Sequence, residues 1–268
     1  MKGNGVKRHT SGNADSRCAW QPPTEALRLD ASDVHVWRVD LDVDAPYDLI
    51  IERLLDADEE VRAHRFAFDE DRRHFVIAHA ALRKVISLYA RVAPRAVRFD
   101  FGPNGKPRLA TGLCGIDLRF NMAHSGTVAL CALAVRREVG VDIEYVREGF
   151  RVMELAERFF SAGEVDELRT QGEAGRTRAF FDGWARKEAY IKATGAGLAM
   201  ALDGFQVSLA AGEPAILKKT PFDVTEASHW SLRSLEASPE YAAAIAAEGH
   251  NWRLQCWQFP LQWLSTLP

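Results

Sequence analysis

The chain has 268 residues, of which 47% are hydrophobic and 26% charged, enough apolar material for one large core or two modest ones. Its net charge of −3 and sequence pI of about 6.3 argue against a nucleic-acid or membrane-surface binder. No apolar run reaches the roughly 18 residues that span a bilayer, and the basic N-terminus lacks the apolar stretch of a secretory signal. A cytoplasmic protein is expected, with Cys18, Cys114, Cys131 and Cys256 reduced, since they stand far apart and form no C-x-x-C pair.

Residues 1–30 are rich in Gly, Ser, Asn, Lys and Arg and bury little, so they read as a flexible tail. Val34–Leu41 is the first strand, apolar on both faces. Tyr47–Leu55 is a helix, and the acidic run from Asp56 suits a second helix N-terminus. From Glu70 to Tyr89, Phe75, Val76, Ala78, His79, Leu82, Val85, Ile86 and Tyr89 recur at three- and four-residue steps, the pattern of one long amphipathic helix. Val97–Phe101 is a short strand, followed by a turn-rich Gly102–Pro107 loop that carries Lys106. Thr127–Val135 is almost wholly apolar, as a central strand would be. Val139–Glu144 is expected to return beside it as a hairpin, with a boundary between two halves at Arg136–Glu138. Val152–Phe160 reads as a helix and Ser161 opens another. Arg178 to about Ala193 is a long helix stopped by Gly195 and Gly197. Strands follow at 204–209, 230–235, 240–247 and 252–259, and the residues from Pro260 on are expected to be loose.

Chemistry concentrates between Val139 and Lys192. The two-residue strand period puts Asp142 and Glu144 on one face, about 7 Å apart. That is either a solvated strand face or a pair of carboxylates awaiting a hard divalent cation such as Mg²⁺. Gly140 within the strand marks the close approach of another backbone or a ligand. Glu188 and Lys192 stand one helical turn apart, either as a surface pair or with the carboxylate on a cation and the ammonium on a phosphate. Phe180, Phe181, Trp184, Tyr190 and Ile191 leave that helix little purely solvated face, which favours a partnered Glu188. Ser161 and Glu164 form a capping box, a role that does not exclude a second one. His124 is either a satisfied structural histidine or a site residue. No Gly-x-x-x-x-Gly-Lys-[Ser/Thr] loop and no Gly-x-Gly-x-x-Gly follows a strand, so a polyphosphate would be held by scattered basic side chains and a metal.

Together, Val139-Gly-Val-Asp-Ile143 and Trp184-Ala-Arg-Lys-Glu-Ala-Tyr-Ile-Lys192 resemble the two signatures of the Sfp-type 4′-phosphopantetheinyl transferases. Gly105-Lys-Pro107, Phe120-Asn-Met-Ala-His-Ser-Gly126, Arg158-Phe-Phe-Ser161 and Gly195-Ala-Gly-Leu198 support the match. The resemblance implies an α+β fold of two similar α/β halves related by a pseudo-two-fold, with the active site in the cleft between them. Residues 31–137 would be the coenzyme A-binding half, and residues 138–268 the half that holds the metal site and docks the carrier protein.

The implied reaction moves the phosphopantetheine arm of coenzyme A to a serine of an apo acyl or peptidyl carrier protein and releases 3′,5′-ADP. The carrier would belong to fatty-acid, polyketide, nonribosomal-peptide or siderophore synthesis. By resemblance Asp142, Glu144 and Glu188 bind Mg²⁺ (or Mn²⁺), Lys192 contacts the pyrophosphate, and His124, Lys106 and Arg62 contact coenzyme A. Ala123 stands where relatives carry a phosphate-binding serine, a contact that Ser125 would supply. Glu188 is the first candidate for the base that takes the serine proton, and Glu164 the second. Arg169, Arg176 and Arg178, between Phe159 and Phe181, are expected to meet the acidic carrier protein, and a monomer suffices. A metal-dependent hydrolase and a non-catalytic coenzyme A-binding module are the competing readings.

Overall fold

The computed structural model describes residues 19–24, 27–43, 47–210, 213–220 and 225–265. Most of the expected tail, residues 1–18 and 25–26, lies outside these. Its other end is engaged: Gln21 bridges to Trp257, its N–H reaching the carbonyl of Cys256 at 3.0 Å.

The N-terminal half runs β1 (Asp33–Asp40), α1 (Tyr47–Leu54), α2 (Ala57–Ala63), α3 (Asp69–Ala90), β2 (Phe99–Phe101), β3 (Pro107–Leu109), β4 (Leu118–Ser125) and β5 (Val128–Val135). The remainder runs β6 (Val139–Tyr145), α4 (Val152–Phe159), α5 (Ala162–Arg169), α6 (Glu173–Thr194), β7 (Gln206–Val207), β8 (Leu217–Lys219), β9 (Trp230–Leu235), β10 (Tyr241–Glu248) and β11 (Arg253–Gln258). The protein is therefore α+β.

Local chemistry accounts for several of the boundaries. Asp56 caps α2 by accepting from the N–H groups of Asp58 and Glu59, while Glu59 reaches back to the Asp56 N–H, a complete capping box. Ser161 and Glu164 do the same for α5. Gly195, at φ +69°, ends α6 in the left-handed conformation and donates to the Ile191 carbonyl, as a C-terminal glycine does. That helix begins at Glu173 rather than Arg178, because Gly175 lies inside it without breaking it.

Two sheets form the centre. One has the order β11-β1-β5-β4 and the other β6-β10-β9. Alternation along β1 sends Trp37 and Val39 to a core shared with Val76, Ile77 and Val85 of α3. Val34 and Val36 face the other way and meet Val139, Val141 and Ile143 of β6 and Ile245 of β10 in a second core between the sheets. A third core packs Ala242, Ala244 and Ala246 of β10 against Ala185, Ala189 and Tyr190 of α6. The layers are thus helices, sheet, sheet and helices.

Four sequence expectations need correction. β6 does not form a hairpin with β5; it pairs antiparallel with β10, Asp142 opposite Ala244, and the real hairpin is β4–β5. β11 leaves the C-terminal half to pair parallel with β1, Val36 opposite Cys256. After Pro260 the chain is not loose, since Leu264 is buried in the first core. Cys256 is disulfide-bonded, against the expectation of four reduced thiols, while Cys114 and Cys131 are free.

Candidate active site

The site grows from the contact of β6 with α6. Glycine at 140 is required there: a Cβ would lie 2.2 Å from the Ala189 carbonyl oxygen and 2.3 Å from the Ala193 nitrogen, closer than atoms pack. The close approach read into Gly140 is thus to a helix backbone rather than to a ligand. With the helix so near, Asp142 on the same face of β6 meets Lys192 of α6, Nζ to Oδ1 at 2.5 Å.

Asp142 is only 3% exposed, and its second oxygen, Oδ2, has no hydrogen-bond partner. Burial, with repulsion from Glu144 and Glu188, pushes its carboxyl up to about 7 against the pull of Lys192. Burial also raises Glu144, and Glu188 adds to it while Lys192 and Ser125 oppose it. Glu188 is therefore within electrostatic reach of both. Among the described residues no three His, Cys, Asp or Glu side chains are already gathered as an ion-binding cluster. An orphaned buried carboxylate oxygen beside two repelling carboxylates nevertheless fits a hard divalent cation, which takes oxygen ligands and relieves that repulsion.

Glu188 and Lys192 line a cleft of about 610 Å³, together with Asn104, Lys106, Arg158, Phe159, Leu198 and Met200. The N-terminal half supplies Asn104 and Lys106, so the cleft lies between the halves.

The other expected residues separate. Burial lowers the His124 imidazole below its ordinary value, and His79, His74, Lys192 and Arg62 push the same way. His124 of β4 is thus within electrostatic reach of basic side chains of α2, α3 and α6, of which His79 is bonded to Glu59 and Lys192 to Asp142. Arg62 also lies over the Phe75 ring, 5.2 Å from its centroid. Ser125 points to the opposite side of β4, where its hydroxyl accepts from Tyr145 N–H at 3.0 Å and donates to Glu144 at 3.4 Å. Asn121, which sequence reasoning missed, makes the matching bond: its Oδ1 accepts the Val141 N–H at 2.8 Å. These two side chains stitch β4 to β6. A polar residue in the otherwise apolar Phe120–Ala123 run was the available signal.

Lys106 touches the cleft, but its ammonium is turned into the seam between the halves. It donates to Glu138 at 2.7 Å, to the Ala193 carbonyl at 2.7 Å and to the Val139 carbonyl at 3.3 Å.

Glu164 is not in the site. It is fully buried and paired with the equally buried Lys187 at 2.8 Å. It also accepts from the N–H groups of Ser161 and Val207 and from the Ser161 hydroxyl, so both oxygens are engaged in holding α5, α6 and β7 together.

The three arginines expected on the docking surface are likewise engaged. Arg169 pairs with Glu157 and Asp166, Arg176 donates to the carbonyls of Leu168 and Gln171, and Arg178 binds Asp182 and the Pro239 carbonyl. A basic and apolar surface also adjoins the carboxylates, at a notch of about 180 Å³ lined by Glu144, Tyr145, Arg147, Phe150, Phe181 and Trp184.

Two family models match consecutive segments of this chain. The 4′-phosphopantetheinyl transferase superfamily covers residues 138–246, and the 4′-phosphopantetheinyl transferase N-terminal family covers residues 45–136. The 4′-phosphopantetheinyl transferase HetI of Nostoc sp. is 36% identical over 240 residues, 90% of this chain and 98% of that one. The 4′-phosphopantetheinyl transferase Sfp of Bacillus subtilis is 33% identical over 151 residues, 55% of this chain and 63% of that one. A solved holo-[acyl-carrier-protein] synthase from Thermotoga maritima matches with 22% identity and a TM-score of 0.32, covering 43% of this chain and 64% of that one, a likeness too slight to carry weight. The chain belongs to the 4′-phosphopantetheinyl transferase family.

Proposed function

We propose that this enzyme moves the 4′-phosphopantetheine arm of coenzyme A to a serine of an apo acyl or peptidyl carrier protein, with Mg²⁺ or Mn²⁺ held by Asp142, Glu144 and Glu188. The observation that carries the reading is the meeting of these carboxylates with Lys192 at the cleft edge, where β6 backs onto α6. The serine oxygen attacks the phosphorus that bears the arm, the phosphoanhydride P–O bond breaks, and 3′,5′-ADP leaves with the bonding pair.

Lys192 steadies the charge that grows on the leaving pyrophosphate oxygens. His124 and Arg62 hold the nucleotide's phosphate. Glu188 faces the cleft and takes the serine proton; Glu164, spent on Lys187 and the cap of α5, is left to structure. A bound divalent cation supplies charge neutralisation on the pyrophosphate. Coenzyme A then rests mainly on residues 31–137, while the carboxylates and the carrier-facing surface come from the chain after residue 138. Since one chain provides every residue used, the reading takes the enzyme as a monomer, and as cytoplasmic.

The direct test mixes the protein, Mg²⁺, coenzyme A and an apo carrier protein, then weighs the carrier. A gain of one phosphopantetheine arm is expected, and Asp142→Ala or Glu188→Ala should each slow it by about 100-fold or more. Full activity in either variant would overturn the metal assignment. Release of 3′,5′-ADP at an undiminished rate without any carrier would point instead to a hydrolase.

A further inference from the structure

The proposed metal ligands are divided between a strand and a helix. Asp142 and Glu144 sit on β6, Glu188 and Lys192 on α6. Their geometry therefore depends on how those two elements are registered against each other. Gly140 sets how near they come, and the Lys192–Asp142 pair bridges them within the site. A second tie joins them at the other end of the contact.

The Gly102–Pro107 loop of the N-terminal half supplies it. Lys106 Nζ reaches the carbonyl of Val139, three residues before Asp142, at 3.3 Å, and the carbonyl of Ala193, next to Lys192, at 2.7 Å. Its third donor goes to Glu138 at 2.7 Å, which Arg119 also binds, at 2.9 Å. An ammonium has three donors, and all three are used. The Ala193 carbonyl is among the last four of α6, which lack intrahelical partners, and a cation at a helix C-terminus is favoured by its dipole.

The loop is held in place on the same helix end. Asn104 donates to the Gly195 carbonyl at 3.0 Å, and a Cβ at Gly195 would lie 3.2 Å from Lys106 Cδ, so the lysine stem lies flat on that glycine. With its side chain 9% exposed, Lys106 could turn to a ligand only by giving up its bonds to a carboxylate and two carbonyls, a cost of the unmet-hydrogen-bond kind.

We infer that Lys106 is a positioning residue: its ammonium clasps the start of β6 to the end of α6 and so registers Asp142 and Glu144 against Glu188 and Lys192, rather than contacting coenzyme A. This deepens the transferase reading and rests on it for its consequence, although the clasp itself can be measured without turnover.

The test compares Lys106→Met, which keeps most of the stem and loses the donors, with Lys106→Arg and Glu138→Gln. Three quantities are read: carrier-loading kinetics, the affinity for 3′,5′-ADP by calorimetry, and amide hydrogen exchange. For Lys106→Met, kcat should fall by about 10- to 100-fold, as small misplacements of reacting groups do. The coenzyme A KM and the 3′,5′-ADP affinity should hold within about threefold, because no ligand contact is lost. Exchange should quicken at residues 139–143 and 189–195 and stay unchanged in β1 and β5. Lys106→Arg should restore most of kcat, and Glu138→Gln should reproduce the pattern more weakly, which keeps the test alive if the methionine variant fails to fold.

A tenfold or greater loss of 3′,5′-ADP affinity with unaltered exchange would overturn the inference and make Lys106 a ligand contact. If the unaltered enzyme loads no carrier, the transferase reading fails, while the exchange pattern still decides whether the clasp exists.

Discussion

At the scale of single residues, the same chemistry takes opposite roles according to where the fold puts it. Glu164 and Glu188 are both carboxylates that the sequence offers as the base, yet Glu188 lines the cleft and Glu164 is sealed against Lys187. Removing one partner of a buried pair leaves an uncompensated charge, so Glu164→Ala should cost about 3 to 5 kcal/mol in a urea melt. Glu164→Gln keeps most of the hydrogen bonds, so its folded fraction should load carrier within about tenfold of the parent, whereas loss of a general base costs more than that. The capping box was legible in Ser161-Ala-Gly-Glu164, but not the lysine that consumes the rest of the carboxylate. A residue far from the chemistry carries a pH dependence of its own. His35 is fully buried, with Nδ1 at 2.7 Å from the Tyr89 hydroxyl and Nε2 unpartnered. Burial pushes it down to about 4 against the opposing pull of Asp33 and Asp30. Since its folded value lies below the ordinary 6.5, the unfolded chain binds the extra proton between those values. The His35 contribution to stability should therefore drain as pH falls from 6.5 to about 4, by up to about 3 kcal/mol. The raised Asp142 carboxyl, which gains its proton in the folded state over the same range, works the other way. Denaturant melts of the parent and of His35→Gln across that range should differ by the His35 slope.

At the scale of elements, β6 and α6 are the functional unit, and Gly140 is the residue on which their contact turns. Gly140→Ala would drive a methyl into the backbone at Ala189 and Ala193, and neither atom belongs to a side chain that can swing away. The helix must lift, at a cost of at least about 2 kcal/mol. Because Lys192 and Glu188 ride on that helix, carrier loading should fall further than the stability loss explains; melts and loading assays on the same preparation would separate the two. Periodicity marked α3 and the end of α6 well, since both bury one face continuously and α6 stops on a left-handed glycine. It misjudged the partner of β6. A strand buried along most of its length, such as Val139–Ile143, carries no record of which neighbour covers it. Proximity in the chain suggested β5, but the ladder is made with β10, some hundred residues later. The side chains that meet where β6 backs onto α6 were legible because their order and spacing match a family pattern. Asn121 and the Lys106 clasp were not, because their partners are backbone groups that no side-chain pattern encodes.

At the scale of the molecule, the two halves are joined by more than the cleft. β11 crosses back to lie beside β1, a parallel pairing that needs a long connection and that the local pattern of Arg253–Gln258 could not announce. The faces of the two sheets also share one apolar core, with Val34, Val36 and Ala132 on one side and Val141, Ile143 and Ile245 on the other. Unfolding either sheet alone would bare that core to water at roughly 25 cal/mol for each Å² exposed. The halves should therefore unfold together despite matching two separate family models. The test uses fluorine-labelled tryptophan: Trp37 and Trp257 report on the first core, Trp184 and Trp230 on the core beside α6. All four resonances should vanish over one urea transition, as two-state unfolding requires. Ile245→Ala, which opens a cavity between the sheets, should shift all four midpoints equally, by about 2 to 5 kcal/mol in stability. Were the halves independent, that substitution would move Trp184 and Trp230 and leave Trp37 and Trp257 where they were.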